Sequence, residues 1–468
     1  MSPRMIRKSA AHKCRQRMLT AFFLLSMVFF CDFLKPAHAL PELQKDSVIL
    51  DDEVEAYFQK WFEEVFNAAS RQKSVVKPRV YLISNQAVNA GAAPGGQFVI
   101  FTGLFKLCET AEEFMGVLAH EVAHVRGNHM VQMVMAEEKS MLTAAIAFAL
   151  GGVAAIAGGD VAPLIAGMSG GANVYLRSGM KHSQDLEIAA DAEAIKTLGR
   201  LGIPLTGLRD FLVRIKKMEG APDIDRYFMD HPPTEDRIAA LEAEIKSHPQ
   251  PTWARSAEYN GIYQRLKAKI LGFTLKPSDI FKKYNGDTLN DAFARAIAYG
   301  RNAQVGKAHQ EIDKMIAAHP NDAFALELKS QLYLDEKKGD QAIQSLEKAA
   351  ALKPQATYLR FSLAHLLVET GKDLPKAEGI LRTITQKGEM GDFAWLLLGK
   401  AYALQGKQDL ALWANAEHDA RSGDTKIATA KLKRAKGMAK NAETRRKIDD
   451  TEASIKAEGP QADKRRKR

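Results

Sequence analysis

The chain has 468 residues, too many for one ordinary domain, and its 46% apolar and 26% charged residues exclude disorder as its general state. Three cysteines, Cys14, Cys31 and Cys108, exclude both a disulfide framework and a four-cysteine zinc site. The formal charge of +10 invites a nucleic-acid or anionic-membrane partner, but it is unevenly spread: +6 over residues 1–39, −8 over 40–250 and +12 over 251–468.

Residues 1–17 hold Arg4, Arg7, Lys8, Lys13, Arg15 and Arg17 with no acidic residue. An apolar run from Met18 to Cys31 follows, then Ala37-His38-Ala39. A basic start, a short apolar run and a small-x-small end predict a secretory signal peptide cleaved after Ala39. This fourteen-residue run, stopped by Asp32, falls short of the roughly 20 that a membrane span needs. Cleavage leaves Cys108 alone and a mature charge near +4, so no intrachain disulfide is expected.

Val54, Phe58, Trp61, Phe62, Val65 and Phe66 recur at helical spacing and predict an amphipathic helix over 51–72. Two strand-like runs come next, Val80–Ile83 and Phe98–Phe101, separated by the Gly/Ala/Pro-rich stretch Asn89–Gly96. Phe98, Val99, Ile100 and Phe101 are read either as a plain core strand or as a sheet edge on which a substrate strand is added.

From Ala111 the pattern turns helical and contains His120-Glu121-Val122-Ala123-His124. Histidines four apart lie about 40° apart around a helix, so both imidazoles can face one ion. Glu121 sits about 100° from His120 and can reach a water on that ion without ligating it. That water needs a general base, because zinc lowers its pKa only to about 7. A third ligand is required, and Glu187 and Asp191, four apart on a second helical pattern, offer two carboxylates on one face. One can ligate while the other accepts the outer N–H of a ligand histidine. His182 is a weaker rival, and His129, about 140° round a continuing helix from His124, is read as structural. The later His231-Pro232-Pro233-Thr234 turn enters a helix with Thr234 as its cap and Glu235 and Asp236 in its first turn. His231 and Arg237 are either packing residues or near the metal, stabilising an oxyanion or filling the open coordination position as a brake.

His120–His124, Glu187–Asp191 and His231–Ile238, in that order, resemble the HtpX-like zinc peptidases, which include the CAAX prenyl proteases. The resemblance covers roughly residues 75–245. It implies a zincin-like (gluzincin) fold holding one zinc ion on His120, His124 and Glu187, with Glu121 as base and Asp191 behind the ligands. Ala189 departs from the pattern, where the family often has a second glutamate, and removes no ligand. Met141–Gly159 is an uncharged stretch long enough to span a bilayer, and a second Gly-rich run continues to Ala172. Its Gly151-Gly152 and Gly158-Gly159 pairs favour a buried or surface-dipping helical hairpin. Corresponding segments are transmembrane in the integral-membrane relatives, so membrane-surface contact stays open.

In the C-terminal half Ala308, Ala342, Ala377 and Ala411 recur at spacings of 34, 35 and 34, with Tyr299, Tyr333, Leu367 and Tyr402 in matching register. Trp395-Leu396-Leu397-Leu398-Gly399-Lys400-Ala401-Tyr402 is close to the tetratricopeptide signature. The expected architecture is therefore mainly α with a small β-sheet, a metallopeptidase domain followed by an α-solenoid. It divides into a leader at 1–39, the peptidase at 40–250, a connecting helical segment at 251–288, the repeat array at 289–424 and a basic helix and tail at 425–468. Joined to an HtpX-like domain and a signal peptide, such an array resembles periplasmic proteases of outer-membrane protein quality control. That implies polypeptide substrates, with the array docking on the assembly machinery. A chaperone or scaffold with a latent protease site is the alternative. Nucleic acid is rejected, because the basic tail lacks interleaved aromatics and the leader directs export.

Overall fold

The computed structural model describes residues 40, 43–70, 77–93, 96–129, 180–218, 231 and 234–466. The leader at 1–39 and the apolar stretch at 141–172 lie outside the described residues. No helix among the described residues is long and apolar enough to cross a membrane. The chain divides into two compact units, Met1–Pro320 and Asn321–Arg468.

In the first unit, α1 (Asp52–Ala68) begins where the Asp51 carboxylate accepts from the Val54 amide, with Asp52, Glu53 and Glu55 in the first turn. The apolar residues predicted for this helix are its buried face. Strands β1 (Val48–Ile49), β2 (Arg79–Ile83), β3 (Ala90–Ala93) and β4 (Gln97–Phe101) form one sheet in the order β1-β2-β4-β3. β2 and β4 run parallel, pairing Arg79 with Gln97 through Ile83 with Phe101, and β3 lies antiparallel on the other side of β4. The reading of Phe98–Phe101 as a sheet edge is therefore corrected. β4 is laddered on both sides and fully buried, and β3 takes the edge.

A short α2 (Leu104–Leu107) leads into α3 (Ala111–Arg126), whose first turn is capped by Thr110 accepting from the Glu113 amide. Around it pack α4 (Met180–Leu201), α5 (Thr206–Lys216) and α7 (Ser256–Thr274), and α6 (Glu235–Ser247) packs on α5. Two glycines bring α3 and α5 together: a Cβ on Gly116 would stand 2.9 Å from the Leu208 Cβ, and one on Gly207 would stand 2.5 Å from the Glu112 carbonyl carbon. The turn before α3 is tied down by its neighbours. Tyr263 Oη and Lys267 Nζ both donate to the Cys108 carbonyl, at 2.8 and 2.7 Å, and Arg214 bonds the Leu107 carbonyl and the buried Glu113. Phe58, Trp61, Phe105, Phe114, Tyr259 and Tyr263 pack ring to ring beside this turn, so the start of α3 is anchored in an aromatic part of the core. Burial pushes the Cys108 thiol well up and keeps it inert.

α8 (Pro277–Lys283), α9 (Leu289–Arg301) and α10 (Val305–Ala318) complete the first unit. The earliest helix pair of the repeat pattern thus belongs to the same compact unit as α3. Gly272 of α7 approaches Ile297 of α9 so closely that a Cβ would lie 3.1 Å from its Cδ1.

The second unit consists of α11 (Ala323–Asp335), α12 (Gly339–Leu352), α13 (Thr357–Thr370), α14 (Leu374–Gln386), α15 (Gly391–Leu404), α16 (Gln408–Arg421), α17 (Thr425–Met438) and α18 (Ala442–Arg466). The recurring Ala342, Ala377 and Ala411 are buried where paired helices approach. Ser330 and Ser345 stitch α11 to α12, each donating at 2.8 Å to a carbonyl of the other helix. At the C-terminal end of α11, burial and the adjacent Glu336 push Asp335 up to about 7, above its ordinary carboxylate value. A group raised on folding stabilises the fold below its unfolded pKa, and that contribution is lost as pH rises through about 7. Asp335→Asn is therefore expected to gain stability over wild type between pH 4 and 7, reaching roughly 2 kcal/mol for this partly buried carboxyl and staying level above that range. Thermal melts at pH 5 and pH 8 check this.

Candidate metal centre

Helix α3 presents His120 and His124 on one face, as their spacing requires, and α4 brings Glu187 and Asp191 against it. His120 Nε2 and His124 Nε2 lie 3.0 Å apart. Glu187 spans both, its Oε2 3.1 Å from His120 Nε2 and its Oε1 3.2 Å from His124 Nε2. His231 joins them, with Nδ1 3.2 Å from Glu187 Oε1 and 3.4 Å from His120 Nε2. Donor atoms of these four residues all lie within 4.8 Å of one another, an arrangement able to hold a metal ion.

The outer nitrogens are also engaged. His120 Nδ1 faces Asp191 Oδ1 at 2.9 Å, which keeps the hydrogen on Nδ1 and leaves Nε2 for the cluster. Arg237, buried on the first turn of α6, grips both carboxylates. Its Nε donates to Asp191 Oδ2 at 2.6 Å, Nη2 to Asp191 Oδ1 at 2.9 Å and Nη1 approaches Glu187 Oε2 at 2.8 Å. The guanidinium is directed at these carboxylates, a placement that does not favour the oxyanion role weighed from sequence. Glu121 is buried and its two oxygens make no hydrogen bond to the described residues; His231 Nε2 stands 3.6 Å from its Oε1.

The charges show what such a centre lacks. Three buried carboxyl groups, Glu121, Glu187 and Asp191, share the centre with one buried guanidinium, Arg237, which contacts only the latter two, so its formal charge is short by two among the described residues. Buried charge must be paired or neutralised, and here the imidazoles respond. Burial opposes a charge on His120, yet Glu187 and Asp191 override it and raise the ring to about 10. Burial likewise opposes a charge on His231, and Glu187 and Glu121 outweigh it and raise that ring too. His124 is pushed down by burial and by its charged neighbour His120. A divalent cation closes the same deficit with every imidazole neutral, so the residues present fit one.

His129 was read as structural on the assumption that α3 continues. The helix instead stops at Arg126, and Asn128 adopts a left-handed φ of 51° that turns His129 back. Its Nδ1 lies 3.1 Å from His124 Nδ1, and burial with the nearby His124 pushes it down to about 4. The side chain of His182 lies outside the described residues, as do Pro232 and Pro233.

Comparison with known proteins agrees with this geometry. Residues 53–245 match the model of peptidase family M48, and residues 333–401 match a tetratricopeptide repeat model. The chain carries an M48 peptidase domain and tetratricopeptide repeats. Among curated relatives, the beta-barrel assembly-enhancing protease of Yersinia pestis is 26% identical over 386 residues, 80% of this chain and 76% of that one. The protein of the same name from Escherichia coli K12 is 27% identical over 390 residues, 79% and 77% of the two chains. A protease HtpX homolog from Persephonella marina is 24% identical over 262 residues, 47% of this chain and 85% of that one. The crystal structure of the APC/C hetero-tetramer Cut9-Hcn1 aligns over 72% of this chain and 76% of that chain at 12% identity with a TM-score of 0.24, too low to bear on the fold. All of the clustered donors lie inside the M48 match, so the metal-holding geometry belongs to the M48 domain.

Proposed function

We propose that this chain is an exported zinc endopeptidase that cleaves unfolded or misassembled envelope proteins, with residues 40–250 as its catalytic domain and the repeat array at 289–424 docking partners. The observation that carries the reading is the convergence of four donors on a buried centre short of two positive charges. In this reading His120, His124 and Glu187 would hold one zinc ion. Zinc bound there supplies Lewis acidity toward a peptide carbonyl and a water of lowered pKa. Glu121, buried and without a hydrogen bond to the described residues, would be the base that holds the proton taken from water and passes it to the leaving amine. Asp191 fixes the tautomer of His120, and Arg237 holds Asp191 and Glu187 in place. With β4 enclosed, the edge of β3, a strand that packs against α3, is where a substrate strand would add its main-chain hydrogen bonds. The periplasmic setting and contact with outer-membrane assembly machinery rest on the leader, the repeats and the names of the relatives.

Chelator treatment followed by metal readdition tests the central step. Cleavage of an unfolded polypeptide such as casein is expected to stop on chelation and return with one zinc per chain. Full activity in metal-free protein would remove the reading.

A specific observation favours the latent-site alternative as a regulatory state. His231 completes a four-donor set, and a zinc site with four protein donors has no position left for water. His231→Ala is therefore expected to raise casein cleavage several-fold at unchanged zinc content. A fall of tenfold or more would instead make His231 a contributor to the chemistry.

A further inference from the structure

We propose that His129 is a positioning residue for the metal centre, accepting the hydrogen of His124 Nδ1 and so committing His124 Nε2 to the metal. This rests on the zinc reading above. His124 turns Nε2 toward the cluster, 3.0 Å from His120 Nε2 and 3.2 Å from Glu187 Oε1. A neutral imidazole has one hydrogen, so a ring that ligates through Nε2 carries it on Nδ1. That Nδ1 faces His129 Nδ1 at 3.1 Å, a distance at which one nitrogen must donate and the other accept. His129 is then the neutral ring with its own hydrogen on Nε2. The arrangement parallels His120, whose Nδ1 faces Asp191. Each of the two helical ligands thus has its own outer partner, one a carboxylate and the other an imidazole.

The backbone around His129 is built for this contact. Gly127 has ordinary right-handed helical angles, φ −74° and ψ −6°, so its conformation does not call for glycine. Space does: a Cβ there would lie 2.1 Å from His129 Nε2 and 2.4 Å from its Cδ2. Asn128 then supplies the left-handed residue that folds the chain back, a conformation asparagine tolerates better than most. Gly127 and Asn128 end α3 so that His129 comes back against His124, three residues before Gly127. The ring is buried and packs edge-on against His124, with centroids 5.0 Å apart.

The test uses zinc-loaded full-length protein and its variants His129→Leu, His129→Asn and Gly127→Ala, read by zinc transfer to a colorimetric chelator and by the visible spectrum after cobalt substitution. His129→Leu and Gly127→Ala, one removing the acceptor and the other displacing it, are expected to release zinc about 10–100-fold faster and to alter the cobalt bands. His129→Asn keeps an acceptor oxygen near the place of Nδ1 and is expected to restore slow release and the wild-type spectrum. Wild-type release from His129→Leu, or release from His129→Asn as fast as from His129→Leu, overturns the proposal. The second outcome would reduce His129 to packing. A wild-type protein that binds no zinc overturns the zinc reading itself, and this proposal with it, so the two failures are distinct.

Discussion

Glu121→Gln is expected to lower cleavage of an unfolded protein by about 10²–10⁴-fold while zinc content stays at the wild-type level. The amide has the shape of the carboxylate but cannot take a proton, so the substitution removes the base and little else. Glu121 makes no hydrogen bond to the described residues, so the substitution gives up its 3.6 Å charge contact with His231 Nε2 but breaks no hydrogen bond to them. His120→Ala separates the two roles, because it should lose zinc and activity together. Undiminished zinc-dependent cleavage by Glu121→Gln would sink the proton-transfer assignment, and parallel loss of zinc would make Glu121 a ligand.

The parts of this centre legible in the sequence are those set by local periodicity. His120 and His124 face one way because they are four apart on one helix, and Glu187 and Asp191 share a face for the same reason. Their meeting depends on tertiary packing, and it was reached by resemblance, since the spacing left both carboxylates open. The repeats were legible because each buries the same small residue at the same step, as Ala342 and Ala377 do. β3 was not: Ala90-Gly91-Ala92-Ala93 has little strand propensity, and it is extended because β4 offers it a ladder. Missing β3 is what left the edge reading of Phe98–Phe101 open beside the core-strand one. His129 was lost to a helix end: a continued α3 turns it away from His124, and Asn128 in a left-handed conformation turns it back. The clue lay in Gly127-Asn128, a pair suited to ending a helix.

Arg237→Met should be the most destabilising single substitution at the centre, costing about 3–5 kcal/mol in metal-free protein. The guanidinium donates two bonds to Asp191 and a third contact to Glu187, all buried. Methionine fills similar volume but leaves two carboxylates without their shared cation, deepening the deficit of positive charge. The penalty has a defined pH dependence. Burial works against ionisation of Asp191 and Glu187, but the facing imidazoles, with Arg237 also acting on Asp191, outweigh it and hold both carboxyls below their ordinary values. A carboxyl depressed on folding stabilises the fold above its unfolded pKa, and that contribution is lost as pH falls through the folded value. The gap between wild type and Arg237→Met should therefore be widest near neutrality and narrow progressively below about pH 4, where the unfolded carboxyls protonate. Arg237→Lys is expected to recover only part of the loss, because one ammonium cannot reproduce a planar fork shared by two carboxylates. Zinc acts in the opposite sense, supplying positive charge where the variant lacks it, so saturating zinc should restore more melting temperature to Arg237→Met than to wild type. A variant that melts like wild type in chelator at pH 7 would show that Arg237 does not hold these carboxylates.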